Sequence, residues 1–141
     1  MRVLGLIVVL LIPAAGIGGE SLFYDLPSTI PILGFTIGAL LLSGAGLARM
    51  FAAVFSSRAT PEELKAAIRG WAQARIYALA AGFIGVIIAG GVLLVNMEEP
   101  TAAGPGVVLA FAPILYGVLL GYGIFLPLQS RLEDRVQEQS G

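Results

Sequence analysis

Four stretches of the chain contain no Asp, Glu, Lys or Arg: Val3–Gly19, Ile30–Ala48 within the run Leu26–Ala48, Ile76–Val95 and Val107–Pro127. About 20 apolar residues cross the hydrocarbon core of a bilayer. Each stretch is therefore predicted to be a membrane span, at about 3–19, 30–48, 76–95 and 107–127. The first run has a competing interpretation. Met1-Arg2, an apolar stretch and Pro13-Ala14-Ala15-Gly16 also fit a signal peptide with a small-residue cleavage site; we take the segment as a retained span.

Between spans two and three the pattern changes from continuous to periodic. Thr60-Pro61-Glu62-Glu63 supplies an N-cap hydroxyl, a proline at the first helical position and an acid three residues after the cap. Leu64, Ala67, Ile68, Trp71 and Ala72 then recur at helical spacing. A cytoplasmic helical segment over 61–75 that runs on into span three is expected, giving one helix from Pro61 to about Val95. At 1.5 Å per residue such a helix is on the order of 50 Å long, more than a bilayer needs. The alternative for this segment is an amphipathic helix lying on the membrane surface. Span four is expected to continue likewise through Leu128 and Leu132 into the charged tail, 128–141.

The charges then orient the spans. Arg2, Arg49, Arg58, Lys65, Arg69, Arg75, Arg131 and Arg135 all fall on one side of a four-span chain, while Glu20, Asp25, Glu98 and Glu99 fall on the other with no cation. The positive-inside rule puts the basic side, with both termini, in the cytoplasm. An odd number of spans would mix the two groups.

Composition agrees and narrows the function. Hydrophobic residues make up 57% of the 141 and charged residues 12%, against roughly 45–50% and 25% in soluble domains. The expected fold is thus a single all-α membrane domain, 1–141, with four transmembrane helices, the third and fourth projecting into the cytoplasm. The chain has no Cys and no His, which excludes disulfides and thiolate metal sites and removes the commonest general base and metal ligand. No enzyme activity, cofactor or metal site is expected, and a net charge of −1 excludes a polybasic nucleic-acid binder.

Small residues mark where helices meet, because close backbone approach takes the place of the hydrophobic drive that lipid cannot supply. Gly34 and Gly38 lie four apart in span two, Ala81, Gly85 and Ala89 form an i, i+4 stripe in span three, and Gly117 and Gly121 repeat the pattern in span four. They predict tight helix contact, within or between subunits. Thr36 and Ser43 are expected to bond carbonyls of their own helix, Tyr77, Tyr116 and Tyr122 to anchor or pack, and Pro113 to kink span four and free a carbonyl. Any ion crossing this chain would need a titratable carrier from another one.

Two blocks carry a resemblance. Asp25-Leu26-Pro27-Ser28 is followed by Ile32-Leu33-Gly34 and by Thr36 to Ser43. Further on come Gly82-Phe83-Ile84-Gly85, Asn96-Met97-Glu98-Glu99-Pro100, Gly104-Pro105-Gly106, Leu115-Tyr116-Gly117 and Phe125-Leu126-Pro127-Leu128. In order and spacing these resemble the MotA branch of the MotA/TolQ/ExbB family of ion-driven motor subunits. The resemblance implies an inner-membrane homopentamer around two copies of a MotB- or ExbD-like single-span partner, whose membrane Asp carries a proton or sodium ion. It also implies a pore lined by spans three and four, here Ala81, Gly82, Gly85, Val86, Ala89, Pro113, Ile114 and Gly117, with Asp25, Asn96, Glu98, Glu99, Pro100 and Pro105 in the outer-loop motifs.

The chain departs from the family pattern in four places. The large cytoplasmic domain between spans two and three shrinks to about 25 residues. The two Thr positions associated with sodium coupling align with Val86 and Ile114, and the proline expected early in span three aligns with Leu79. The expected function is a stator-like proton channel and motor subunit. The alternative is a non-conducting accessory subunit that scaffolds a partner helix.

Overall fold

A computed structural model describes residues 26–95 and 103–141, and among them every regular element is helical. The expected first span, residues 3–19, and the outer-loop residues Asp25, Asn96, Glu98, Glu99 and Pro100 lie outside the described residues. The helices are α1 (Leu26–Leu42), α2 (Leu47–Phe55), α3 (Pro61–Val95), α4 (Ala103–Val118) and α5 (Leu126–Ser140), with a π-helical stretch, Leu119–Phe125, joining the last two. The α3 helix and the stretch Gly106–Ser140 are each long and apolar enough to cross a membrane.

The beginning of α3 follows the predicted capping box. Glu63 N–H donates to Thr60 Oγ1 at 3.3 Å, and Thr60 N–H donates to Glu63 Oε2 at 2.9 Å. That backbone donor, followed by the Thr60 side chain and the charge of Arg49, holds the Glu63 carboxyl below the usual carboxylate range. From Pro61 the helix runs unbroken to Val95, so residues 61–75 belong to the same rod as the apolar part and do not form a separate surface helix.

Span two is shorter than the charge pattern indicates. The α1 helix stops at Leu42 because Gly44 takes the left-handed conformation, φ 74°, which only glycine adopts without cost. Ala45 N–H then donates to Leu40 O, and Gly44 N–H to Leu41 O, both at 3.1 Å, the two bonds of a Schellman cap. The chain leaves at a bend of 101° and re-forms a helix over Leu47–Phe55. Counting charges alone missed this break, although Ser43-Gly44-Ala45-Gly46 spells it out.

Span four differs from expectation in where its irregularity sits. The helix continues through Pro113, and the departure from α geometry comes later, at Leu119–Phe125. Pro127 supplies the reason. Its ring cannot coexist with an ordinary i−4 carbonyl, and the wider turn before it, in which Leu126 N–H bonds Gly121 O, makes room. Beyond it α5 carries the rod into the charged tail, as expected.

The core lies at the cation-bearing end. Leu64, Ala67, Trp71 and Ala74 of α3 pack with Met50 and Ala53 of α2, Leu40 of α1 and Leu132 of α5. Trp71, 2% exposed, holds the edge of the Phe51 ring at 5.1 Å and the tilted Phe125 ring at 5.6 Å. Arg135 clamps the tail to α2, donating to Ala53 O at 2.8 Å and to Ser56 O at 2.6 Å, carbonyls that the end of α2 leaves without helical partners. Outside this core the outward faces of α3 and α4 are apolar: Phe83, Ile87, Ile88 and Leu94 on one, Val108 and Phe111 on the other.

Trp71→Ala should therefore cost about 3–5 kcal/mol, the usual penalty for emptying a large aromatic site, and lower the unfolding midpoint in mild detergent. Leu94→Ala, on the outward face, should leave it in place. Equal midpoints for the two variants would show that the cluster around Trp71 does not hold the helices together.

Candidate functional site: a glycine seam between the long helices

The residues singled out in spans three and four converge, and they converge within one chain. A Cβ added to Gly82 would stand 2.8 Å from Pro113 O, 3.1 Å from Ile114 Cα and 3.3 Å from Gly117 Cα. One added to Gly117 would meet Ala78 O at 2.6 Å and Gly82 Cα at 3.1 Å. Both limits are backbone atoms, so a side chain there cannot be accommodated by rotating a neighbour. Gly85 lies against the Pro113 ring, with 2.6 Å between its would-be Cβ and Pro113 Cβ. The two helix backbones touch directly across Ala78, Gly82, Gly117 and Pro113, all of them buried.

The seam continues in both directions. Gly121 sits on Arg75 at the cation-bearing end, where an added Cβ would stand 3.3 Å from the Arg75 carbonyl oxygen and Cγ; Gly106 sits on Leu93 at the other, where an added Cβ would stand 2.5 Å from Cδ1. Sequence reading named Gly121 but not its partner, and it missed Ala78, Leu93 and Gly106 as seam residues. Their signal is the antiparallel register, which only the paired helices define. Ala81 is buried beside the seam, and Val86, Ala89 and Ile114 are half-exposed along its flank. Pro105 lies in the first turn of α4.

Gly34 and Gly38 behave differently. Neither would bring a Cβ within 4 Å of anything. The packed face of α1 is Ile32, Thr36 and Leu40, each buried and one turn from the next. Thr36 is the buried polar residue here, and its Oγ1 donates to Ile32 O at 2.7 Å; Ser43 Oγ donates to Leu40 O at 2.8 Å. Both hydroxyls thus bond their own helix as expected, in the back-bonding mode open to Ser and Thr.

The electrostatics of the seam are sparse. Arg75 lies with its guanidinium 5.7 Å from the centre of the Tyr122 ring, inside cation–π range, where the seam meets the basic end. No cluster of His, Cys, Asp or Glu that could hold a metal occurs among the described residues. The residues that line the seam, Ala78, Gly82, Gly85, Pro113 and Gly117, are small and apolar. What they supply is a rigid, apolar, closely approached pair of helices.

No protein-family model matches the chain. Three curated relatives do. Over 76 residues it is 32% identical to Motility protein A of Cereibacter sphaeroides, covering 54% of this chain and 29% of that protein. Over 61 residues it is 33% identical to the chemotaxis protein PomA of Vibrio alginolyticus, covering 43% and 24%. Over 71 residues it is 31% identical to the uncharacterised protein YtxD of Bacillus subtilis, covering 50% and 26%. Motility proteins are thus distant relatives of this chain, which spans less than a third of the length of each of the three.

Gly85→Leu should force α3 and α4 apart and destabilise the fold by about 1–3 kcal/mol or more, as overpacking does. Gly90→Ala, at a position with nothing within 4 Å of its would-be Cβ, should be silent. Unfolding midpoints in detergent compare the two; an unaffected Gly85→Leu would mean the seam is not closed in the folded chain.

Proposed function

We propose that this chain is a MotA-like subunit of an ion-driven motor in the bacterial inner membrane, crossing it four times with both termini in the cytoplasm. In this reading five copies surround two copies of a single-span, MotB-like partner. The observation that carries it is the similarity to Motility protein A and PomA, in a chain whose two long helices are apolar and whose four expected spans hold no Asp, Glu, Lys or Arg. A motor subunit without a membrane carboxylate needs a partner that brings one. Transport proteins retain such a group despite a cost of about 2.5–3.5 kcal/mol on insertion scales. The partner's acid would be the ion carrier, and this chain would be the apolar wall around it.

The proton is the ion proposed. Val86 and Ile114 offer no oxygen at the positions where relatives with sodium coupling carry Thr. Val86, Ala89 and Ile114, the half-exposed edge of the seam, would face the partner, with Ala81, Gly82, Gly117 and Pro113 holding the wall in shape behind them. Asp25, Asn96, Glu98 and Glu99 would flank the outer mouth. The short segment between spans two and three argues against torque through the large cytoplasmic domain of the family, so the moving partner would act on the outer side.

A second reading has an observation of its own. The apolar residues at 86 and 114 suit a subunit that holds a partner helix without conducting. Native mass spectrometry of the chain in mild detergent, alone and with a single-span, MotB-like protein, separates the possibilities when combined with proton uptake in vesicles. A pentamer that takes up two partner copies and admits protons is expected. The same assembly without proton uptake would favour the scaffold. A monomer or dimer that ignores the partner would overturn both.

A further inference from the structure

The α2 helix is too short to cross a membrane and has no counterpart in the motor reading, yet its surface divides into three distinct faces. Met50, 3% exposed, and Ala53 turn inward onto α3, where Met50 Sδ closes over Gly70. Phe51 and Phe55 lie one turn apart on a second face, 51% and 84% exposed. Arg49 lies on a third, about 160° around the helix from Phe51 at 100° per residue, and is exposed. An aromatic pair left uncovered beside a cationic face is the pattern of a helix lying in a membrane interface, not of one standing in water.

The surroundings specify the occupant. The helix follows α1 at a bend of 101°, so if α1 crosses the bilayer α2 runs nearly along its surface. The outward apolar residues of α1, among them Phe35, Leu41 and Leu42, bring the lipid-facing surface to the point where α2 begins. No acid occurs in α2, and residues 43–75 carry five cations against two carboxylates. We propose that α2 is an interfacial anchor that docks on an anionic leaflet, with Phe51 and Phe55 at the boundary of acyl chains and headgroups, Arg58 just past its C-terminal end at the lipid phosphates, and Arg49 turned to water. Trp71, packed edge-on against Phe51, ties the anchor to α3, and Arg135 ties it to α5. Lipid contact at this helix therefore bears on how the two long rods sit in the bilayer.

This inference rests on the membrane reading of α1 and α3, not on the motor or on any partner. The chain has no cysteine, so Phe55→Cys and Arg49→Cys each accept a single nitroxide label. After reconstitution of the full chain into phosphatidylcholine vesicles with and without phosphatidylglycerol, power-saturation measurements compare collisions with oxygen, which concentrates in lipid, and with a neutral nickel chelate, which stays in water. The label at 55 should be several-fold richer in oxygen collisions and the label at 49 in nickel collisions. Phosphatidylglycerol should shift position 55 further toward oxygen. High nickel access at 55 would place α2 in water and overturn the proposal. Shielding of 55 from both reagents would mean that protein, such as a second copy, covers the face, and would overturn it equally. An oxygen ratio indifferent to phosphatidylglycerol would overturn the preference for an anionic leaflet. A label at 87, on the exposed face of α3, reports separately whether the rods are in the bilayer at all.

Discussion

Everything else in this molecule depends on two helix backbones touching. In lipid the hydrophobic effect gives helices no reason to associate, since an acyl chain solvates a leucine as well as another leucine does. What remains is dispersion, weak per atom pair and falling steeply with separation, so the approach must be close along a whole seam. Gly82 and Gly117 bring the backbones of α3 and α4 into contact, and Gly85, Gly121 and Gly106 let Pro113, Arg75 and Leu93 fill the remaining width. The absence of side chains at these positions is the structural device.

From that seam the other features follow in order. Holding α3 and α4 antiparallel over their length brings the N-terminal half of α3 beside α5, and the cations of both to one end. There the packing changes character. Trp71, Leu64 and Leu132 build a core of large side chains, as in a soluble protein, and α2 closes it through Met50 and the Arg135 clamp. The capping box at Thr60 and the wide turn before Pro127 fix where each rod starts and how it survives its proline. A molecule with a glycine seam at one end and an aromatic core at the other holds its long helices by two different kinds of packing.

Much of this could be read from the residues. The extent of α3, its cap, the continuation of span four into the tail, and the back-bonding of Thr36 and Ser43 are local consequences of propensity and periodicity, and local rules reach them. The candidate site was half legible. The glycines of spans three and four stood out by spacing, but spacing cannot say whether a partner helix is in the same chain, and it grouped Gly34 and Gly38 with them although these two face open space. Gly106 escaped notice because its partner Leu93 is not small. The break at Gly44 was missed because charge, not backbone conformation, was used to end span two, and the displaced irregularity in span four because Pro113 drew attention from Pro127. In each case the deciding fact was a neighbour or a dihedral angle that the linear pattern does not contain.

The central claim is that the seam closes inside one chain. With no native cysteine to interfere, Leu79→Cys combined with Gly121→Cys tests it, because a Cβ at 121 stands 3.7 Å from Leu79 Cγ. Mild oxidation of the double variant in membranes, read by electrophoretic mobility, should give an internally bridged monomer, with either single variant unaltered. Covalent dimers from the double variant would contradict the account.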